Sequence, residues 1–156
     1  PTFALGVLTP GAIVRWQAVV DDEFELVLSL RSAGGAGRGV RVALSGEALM
    51  RGLVALTSLH VGDLSAPIRR PEAGMTTVEL PALEIPAGIV HPFDPPPPTP
   101  EALAVAEAAL AATHRDFRVR GRGLRPGSGL LALSIAVIGS PAVPLRWMRP
   151  IAVTPR

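Results

Sequence analysis

Four arginines lie within eight residues near the C-terminal end of the chain, in the segment DFRVRGRGLRP. Arg118, Arg120 and Arg122 alternate with apolar or glycine residues, and Arg125 lies just beyond them. Alternate side chains of a strand share one face and repeat about every 6.6 to 6.8 Å, so the first three form an arginine ladder that can bind phosphates or carboxylates. Phe117 falls on the opposite face, which places no base-stacking aromatic beside the ladder. The four arginines are therefore a candidate site for an anion or a partner, without sequence-specific recognition of nucleic acid.

An acidic row with the same spacing lies near the N-terminal end, where Glu23 and Glu25 alternate with apolar residues. Two carboxylates about 6.6 to 6.8 Å apart on one strand face would also suit the acid pair of a glycosidase. With only four Phe, two Trp and no Tyr in the chain to stack on a sugar, a solvent-facing strand is the favoured interpretation. The acidic row can equally face the arginine ladder, on a neighbouring strand or across a subunit interface. The ladder thus has three candidate partners: phosphate, this acidic row, or solvent.

Signatures of catalysis and of metal binding are few. The chain has no Cys, which excludes disulfides, thiolate metal sites and a cysteine nucleophile. His60, His91 and His114 are not spaced to place two metal ligands on one helical face, and no G-x-S-x-G motif marks a nucleophilic serine. The glycine-rich stretch 33–39 lacks the Lys and the Ser or Thr of a phosphate-binding loop. We therefore predict a protein that is not an enzyme, with no catalytic residue, cofactor or metal site.

Charge is distributed unevenly along the 156 residues. Residues 1–114 carry 7 Arg against 12 acidic residues, a net charge of −5, whereas residues 115–156 carry 8 Arg against 1 Asp, a net charge of +7. Only 18% of the residues are charged and 48% are hydrophobic, which is a low charge content for a free monomer. Burial of apolar surface between subunits would resolve this, so we expect the chain to self-associate.

Hydrophobic patterning predicts a chain made mainly of strands. Residues 12–20 and 23–32 are rich in β-branched and aromatic types, and the two aspartates between them suit a tight turn, which predicts an antiparallel hairpin. Shorter strands are expected at residues 40–44 and 75–80. The prolines that follow the last of these confine its continuation to the edge of a sheet or to an extended segment.

A second hairpin is predicted in the C-terminal third. Residues 117–123 alternate in character, the sequence RPGSG suits a turn, and residues 130–138 have no polar face. A strand that is apolar on both faces is typical of the centre of a sheet covered on both sides. The tail, residues 140–156, carries four prolines and is expected to be an edge strand or an extended arm.

Two helices are expected. One covers about residues 100–114, where Thr99 can cap the N-terminus and Pro100 suits the first turn, and its many alanines suit close packing on a sheet. The second covers about residues 46–60, where apolar residues recur near helical spacing, although the β-branched residues there also suit a strand. Before the first helix, residues 91–100 include four successive prolines, which predict an extended spacer.

Together these patterns predict a single β-rich α+β domain over residues 1–156, a mainly antiparallel sandwich or barrel-like sheet with one helix packed on it. The favoured function is a non-enzymatic structural protein whose partners are further copies of itself in a larger particle, such as a virion, a phage or a comparable assembly. The alternative is a module that binds nucleic acid or another anionic polymer through the arginine ladder. An enzyme whose catalytic groups lie on loops, and therefore leave no sequence motif, is the third candidate. We see no signal peptide, and the longest apolar run is too short to span a membrane, so a cytoplasmic or particle-associated protein is expected.

Overall fold

The chain folds into two β-sheets that enclose one hydrophobic core. The computed structural model describes residues 5–8, 16–32, 35–69, 74–88, 93–139 and 144–156, with the backbone alone described for residues 5–8 and 16. The strands in these ranges are β1 (Leu5–Leu8), β2 (Trp16–Val19), β3 (Glu23–Ser32), β4 (Gly37–Ser45), β5 (Val54–Val61), β6 (Leu64–Pro67), β7 (Met75–Ile85), β8 (His114–Gly123), β9 (Gly127–Val137) and β10 (Leu145–Thr154). The helices are α1 (Glu47–Met50) and α2 (Pro100–Ala112).

The strands divide equally between the two sheets. The first sheet has the order β1-β3-β8-β5-β6 and is antiparallel throughout. The second sheet has the order β2-β10-β9-β4-β7 and is antiparallel apart from the parallel pair of β2 and β10. The predicted β-rich α+β fold, a mainly antiparallel sandwich, is confirmed.

The core lies between the sheets and follows from the alternation of side chains along each strand. In β3, Leu26, Leu28 and Leu30 point inward and are buried, while the residues between them are exposed or half-buried. β8 adds Phe117 and Val119 on the same side. The buried side chains that face them from the second sheet include Val40, Val42, Leu44, Leu131, Leu133 and Ile135. Full burial of a side chain of this size contributes about 1.5 to 3 kcal/mol, so the inner faces hold the sheets together.

The predicted hairpin of residues 12–32 is wrong. Residues 9–15 lie outside the described part of the chain, and β2 and β3 belong to different sheets. The chain crosses between the sheets at Asp21, which has a left-handed φ of 68° and whose N–H donates a hydrogen bond to the carbonyl oxygen of Gly123 at 2.9 Å. Aspartate tolerates this backbone conformation better than most residues do. A crossing of this kind lets the apolar faces of both strands meet in the core. The sequence predicted a hairpin because a short polar turn between two strands has the same residue pattern in both cases.

The predicted hairpin of residues 117–138 is also wrong, although both of its strands exist. β8 is the central strand of the first sheet and β9 is the central strand of the second, so residues 124–126 cross between the sheets. Gly123 lies at this crossing, where a Cβ atom would come within 2.4 Å of the carbonyl oxygen of Val19. β9 is central as predicted, but its outer face is not covered by another layer, since Leu130 on that face is 42% exposed.

The helix predicted over residues 46–60 is wrong for most of its length. Only the single turn of α1 is helical, and β5 follows it. Gly52, with a φ of 67°, ends the turn in the left-handed conformation that glycine adopts without strain. A bulge in the middle of β5 keeps apolar residues on the inner face on both sides of it. The bulge leaves two inward leucines three residues apart, a spacing that is typical of a helix.

The helix predicted near residues 100–114 is confirmed as α2. The hydroxyl oxygen of Thr99 accepts a hydrogen bond from the N–H of Ala102 at 3.1 Å, and Pro100 occupies the first turn. The prediction that this helix packs closely on a sheet is wrong, because none of its residues is buried and Val105 is 71% exposed. Its alanines spread apolar surface around the helix, so no single face gains much from burial. No helix in the described ranges has the length and apolarity that a membrane crossing requires.

The prediction of an edge strand or an extended arm for the tail, residues 140–156, is wrong. Residues 140–143 lie outside the described part of the chain, and β10 is neither an edge strand nor an arm, because it lies between β2 and β9. Pro150 precedes the stretch paired with the described part of β2, which begins at Ile151, and at the proline β10 is paired with Leu130 of β9. β7 is an outer strand of this sheet, as its prolines predicted, and Pro81 lies at an irregularity in the pairing with β4.

The predicted proline-rich spacer, residues 91–100, connects β7 to α2. Residues 91 and 92 lie outside the described part of the chain, and residues 93–99 form neither helix nor strand. The peptide bond between Asp94 and Pro95 is cis. The spacer thus joins an edge strand of the second sheet to the helix that precedes β8.

Candidate functional site

The outer face of the first sheet carries the arginine ladder. Arg118, Arg120 and Arg122 are exposed on β8, which lies between β3 and β5. Phe117 and Val119 alternate with them and are buried in the core. A slip of one residue in the strand register would exchange the two sets, so burial of the apolar set holds the arginines outward.

β3 brings the acidic row beside the ladder. The antiparallel register places Glu25 opposite Arg120 and Glu23 opposite Arg122. Glu25 accepts two charge-assisted hydrogen bonds, from Nε of Arg120 to Oε2 at 3.0 Å and from Nη1 of Arg118 to Oε1 at 2.9 Å. The contact with Arg118 is diagonal, within the reach of these long side chains. One carboxylate therefore engages two arginines of the ladder.

The two guanidinium groups hold the pKa of the Glu25 carboxyl below its usual range. The hydrogen bond from Arg120 is the largest cause and the bond from Arg118 is the next, while partial desolvation of the carboxylate acts in the opposite direction. Because the lowered pKa favours the ionised form, Glu25 keeps the charge that neutralises both arginines. An incoming anion must therefore compete with a carboxylate that already occupies them.

Arg122 and Arg125 lie outside this network. Neither forms an ion pair within the described part of the chain, although Glu23 lies opposite Arg122. Arg125 follows the end of β8, so it is not part of the strand row. Both residues are exposed, and their charges are open to a partner.

No sequence pattern predicts the hydroxyl–imidazole pair on β5. Oγ of Ser58 lies 2.8 Å from Nε2 of His60, on the part of the strand that follows the bulge. The register places Ser58 opposite Arg120 and His60 opposite Arg118, so both share the outer face with the ladder. A nucleophilic serine also needs a group that orients its base and donors for the developing oxyanion. Only the first pair of such a constellation is found among the described contacts.

A shallow depression of about 450 Å³ lies along the same face, with Glu23, Glu25, Ser58 and Arg120 among its walls. Its rim carries both signs of charge, which suits neither a polyanion nor a polycation. Within the described ranges, no cluster of three or more His, Asp or Glu side chains could hold a metal ion.

The outer face of the second sheet has a different character, because small side chains occupy most positions of its inner strands β4 and β9. We call it the alanine-serine face. Its members, in rows from β7 to β10, are Met75, Ser45, Ala132 and Met148; Thr77, Ala43, Ser134 and Arg146; and Glu79, Arg41 and Ala136; with Leu130 and Pro150 beside the first row. Met75 is 57% exposed and Met148 is 54% exposed. A depression of about 430 Å³ lies between these two methionines, over the small residues.

Comparisons with known proteins find a similarity of fold. No model of a known protein family matches the chain, and no curated protein matches it. Among solved structures the chain is similar to a family 123 glycoside hydrolase from Clostridium perfringens, with 8% identity and a TM-score of 0.50 over 100% of this chain and 28% of the hydrolase. It is similar to domains 4 and 5 of the S-layer protein SbsC, with 9% identity and a TM-score of 0.39 over 97% of this chain and 44% of that one. A third similar structure is ACE19, the collagen-binding subdomain of the surface protein ACE of Enterococcus faecalis, with 7% identity and a TM-score of 0.40 over 97% of each chain.

The first two of these structures are much longer than the present chain, which spans 28% of the hydrolase and 44% of the S-layer fragment. At such identities the similarity to the hydrolase concerns the β-sheet fold alone. The function of the chain must therefore be argued from its own surfaces.

Proposed function

We propose that this chain is a non-enzymatic structural protein that self-associates as a subunit of a larger particle, such as a virion, a phage or a comparable assembly. The observation that carries the proposal is the alanine-serine face, where half-buried small side chains of β4 and β9 lie between the exposed Met75 and Met148. Exposed apolar side chains that lie close together, as Met75, Met148 and Leu130 do here, mark association surfaces more often than singly exposed ones do. The low fraction of charged residues, 18%, supports the same conclusion.

The distribution of methionine supports association as well. All three methionines of the chain are exposed: Met50 is 71% exposed, and Met75 and Met148 border the alanine-serine face. Met50 lies against Gly74, where a Cβ atom would come within 2.2 Å of its Cγ, and so it adjoins Met75. Methionine is flexible and polarizable, and it is enriched where proteins meet.

The contacts of the arginine ladder favour a structural role for it. Glu25 binds Arg118 and Arg120 within the same sheet, so these charges link β3 to β8. The hydroxyl–imidazole pair of Ser58 and His60 is the nearest approach to a catalytic group, and within the described contacts no acidic side chain orients the imidazole. The ladder is thus partly neutralised within its own sheet, and the proposed association rests on the second sheet.

The mass of the native protein tests the proposal. At micromolar concentration, light scattering or native mass spectrometry should give a multiple of the 16.2 kDa chain mass. Discrete particles in electron micrographs would support the particle subunit in particular. A monodisperse monomer at this concentration would contradict the proposal.

Binding of an anionic polymer is the second candidate function, and it is favoured by the free charges of Arg122 and Arg125. An interaction with phosphates releases counterions, so the affinity for single- or double-stranded DNA should fall steeply as salt rises. Replacing Arg122 and Arg125 by alanine should weaken this binding further. An affinity that changes with neither salt nor these substitutions excludes the candidate.

A further inference from the structure

We propose that the alanine-serine face docks on the same face of a second copy of this chain, about a twofold axis parallel to the strands, so that Met75 of each copy packs against Met148 of the other. The inference rests on the proposed self-association and names the surface and the geometry that produce it. A twofold contact of this kind uses one surface patch twice, which requires that the patch be complementary to itself.

The strand register supplies this complementarity. Met75 on β7 lies opposite Ser45 on β4, and Ser45 lies opposite Ala132 on β9. Ala132 lies in turn opposite Met148 on β10. The two methionines therefore lie at opposite ends of the same row, three strand spacings or about 14 Å apart. A twofold axis through the middle of the row, parallel to the strands, places each methionine over the other one of the facing copy.

The side chains between the methionines leave room for them. Packed sheets lie about 10 Å apart, more than facing Ala and Ser side chains fill. The depression of about 430 Å³ over Ala43, Ser45, Ala132 and Ser134 is that unfilled space. Methionine has an unbranched, flexible side chain that fills irregular gaps, so the paired methionines can extend inward over the floor of the facing copy.

The same twofold axis brings opposite charges of the two copies near each other. Arg146 ends the second row on β10, and the axis places it over Thr77 of the other copy, one row from Glu79. Oε1 of Glu79 accepts a hydrogen bond from Nε of Arg41 at 2.8 Å, and the carboxylate can accept further bonds. Arg146 forms no ion pair within the described part of its own chain, so it is available to Glu79 across the interface.

The area of the face suits a dimer of moderate affinity. The thirteen positions of the face, at a strand spacing of about 4.8 Å and a row spacing of about 6.8 Å, cover on the order of 850 Å² over both copies. This lies just below the area of about 1,000 Å² at which stable specific interfaces begin, in the range of weak or transient contacts. The dimer should accordingly form at micromolar rather than nanomolar concentration.

Cysteine cross-linking tests the geometry, because the chain contains no Cys of its own. The variants Met75→Cys and Met148→Cys are prepared separately, mixed, allowed to exchange, and treated with an oxidant or a short bis-maleimide. We expect the mixture to give covalent dimers and each variant alone to give few, because each residue faces the other type across the axis. Efficient dimers from either variant alone would overturn the proposed axis.

A second measurement uses charge. Met148→Asp should weaken dimerisation about tenfold or more, since it places a carboxylate in an apolar contact. Val105→Asp also introduces a carboxylate at an exposed apolar position, on α2, and should leave dimerisation unchanged. If the wild-type chain is multimeric but neither cross-linking nor Met148→Asp behaves as expected, this inference fails while the proposed function stands. A wild-type monomer would overturn both.

Discussion

Oε2 of Glu25 accepts a hydrogen bond from Nε of Arg120 at 3.0 Å, across a pair of strands whose contacting residues are 95 positions apart in the chain. The same carboxylate also binds Arg118 at 2.9 Å. A row of arginines that would otherwise suit phosphate is thereby partly neutralised from within its own sheet. The contact joins two neighbouring strands of the first sheet and leaves Arg122 and Arg125 as the arginines of this segment without an ion pair among the described residues.

Loss of the Glu25 carboxylate should destabilise the fold modestly. Glu25→Gln removes two ion pairs and leaves Arg118 and Arg120 to repel each other. Because these side chains are largely exposed, the loss should be about 0.5 to 1 kcal/mol, measured by urea unfolding. Glu107→Gln makes the same change on the exposed helix α2 and serves as the matched control, with no shift expected. Equal effects of the two substitutions would argue against a specific role for the Glu25 contacts.

The stability of the protein should depend on pH through the same residue. The pKa of Glu25 is lowered in the folded state from an ordinary value of about 4.5. Its ionised form therefore contributes stability that is fully present above the ordinary pKa and is lost as pH falls through the lowered one. The difference in unfolding free energy between wild type and Glu25→Gln should be constant near neutral pH and shrink in acid. A difference that grows as pH falls would contradict the assignment.

Removal of the Glu25 carboxylate from the arginine ladder should strengthen binding to polyanions. Glu25→Gln frees two guanidinium groups, so this variant should elute from a heparin column at higher salt than the wild type. Arg122→Ala removes an exposed positive charge and should elute earlier. If Glu25→Gln does not change retention, then the carboxylate does not compete with external anions for the ladder.

Gly121 should tolerate no side chain. It lies on the inner face of β8, where a Cβ atom would come within 2.6 Å of Cζ of Phe24 and 2.7 Å of the carbonyl oxygen of Ala55. Gly121→Ala should therefore cost about 1 to 3 kcal/mol, because backbone and a packed ring must both move. Arg122→Ala, on the outer face of the same strand, is the control for a general effect of alanine on β8. A Gly121→Ala protein with an unchanged unfolding midpoint would contradict the close approach.

Several elements follow from patterns of a few residues. The alternation in Phe24, Leu26, Leu28 and Leu30 predicts β3 and its buried face, and the structure has both. Thr99 and the proline after it predict the start of α2, because a cap acts within one turn. The helix predicted over residues 46–60 fails because the bulge in β5 changes the spacing of its inward residues, and a bulge depends on the neighbouring strand.

The sequence predicts one part of the candidate site, and only the structure shows the rest. The spacing of Arg118, Arg120 and Arg122 predicts a row on one face, and the acidic row opposite is one of three partners that the sequence allows. That Glu25 binds two arginines follows only from the register of β3 against β8. Ser58 and His60 lie on the outer face because the bulge decides which face the residues after it occupy.

By itself, the sequence determined the β-rich class, the faces of the long strands, the helix α2 and the exclusion of cysteine chemistry, because each follows from neighbouring residues and their periodicity. Only the tertiary structure decided that the turns near Asp21 and Arg125 cross between sheets, that β10 is an inner strand, and that Glu25 meets the ladder. These outcomes depend on which strands lie side by side. Which strands become neighbours is decided by the burial of apolar faces from distant parts of the chain. A pattern of a few adjacent residues cannot predict it.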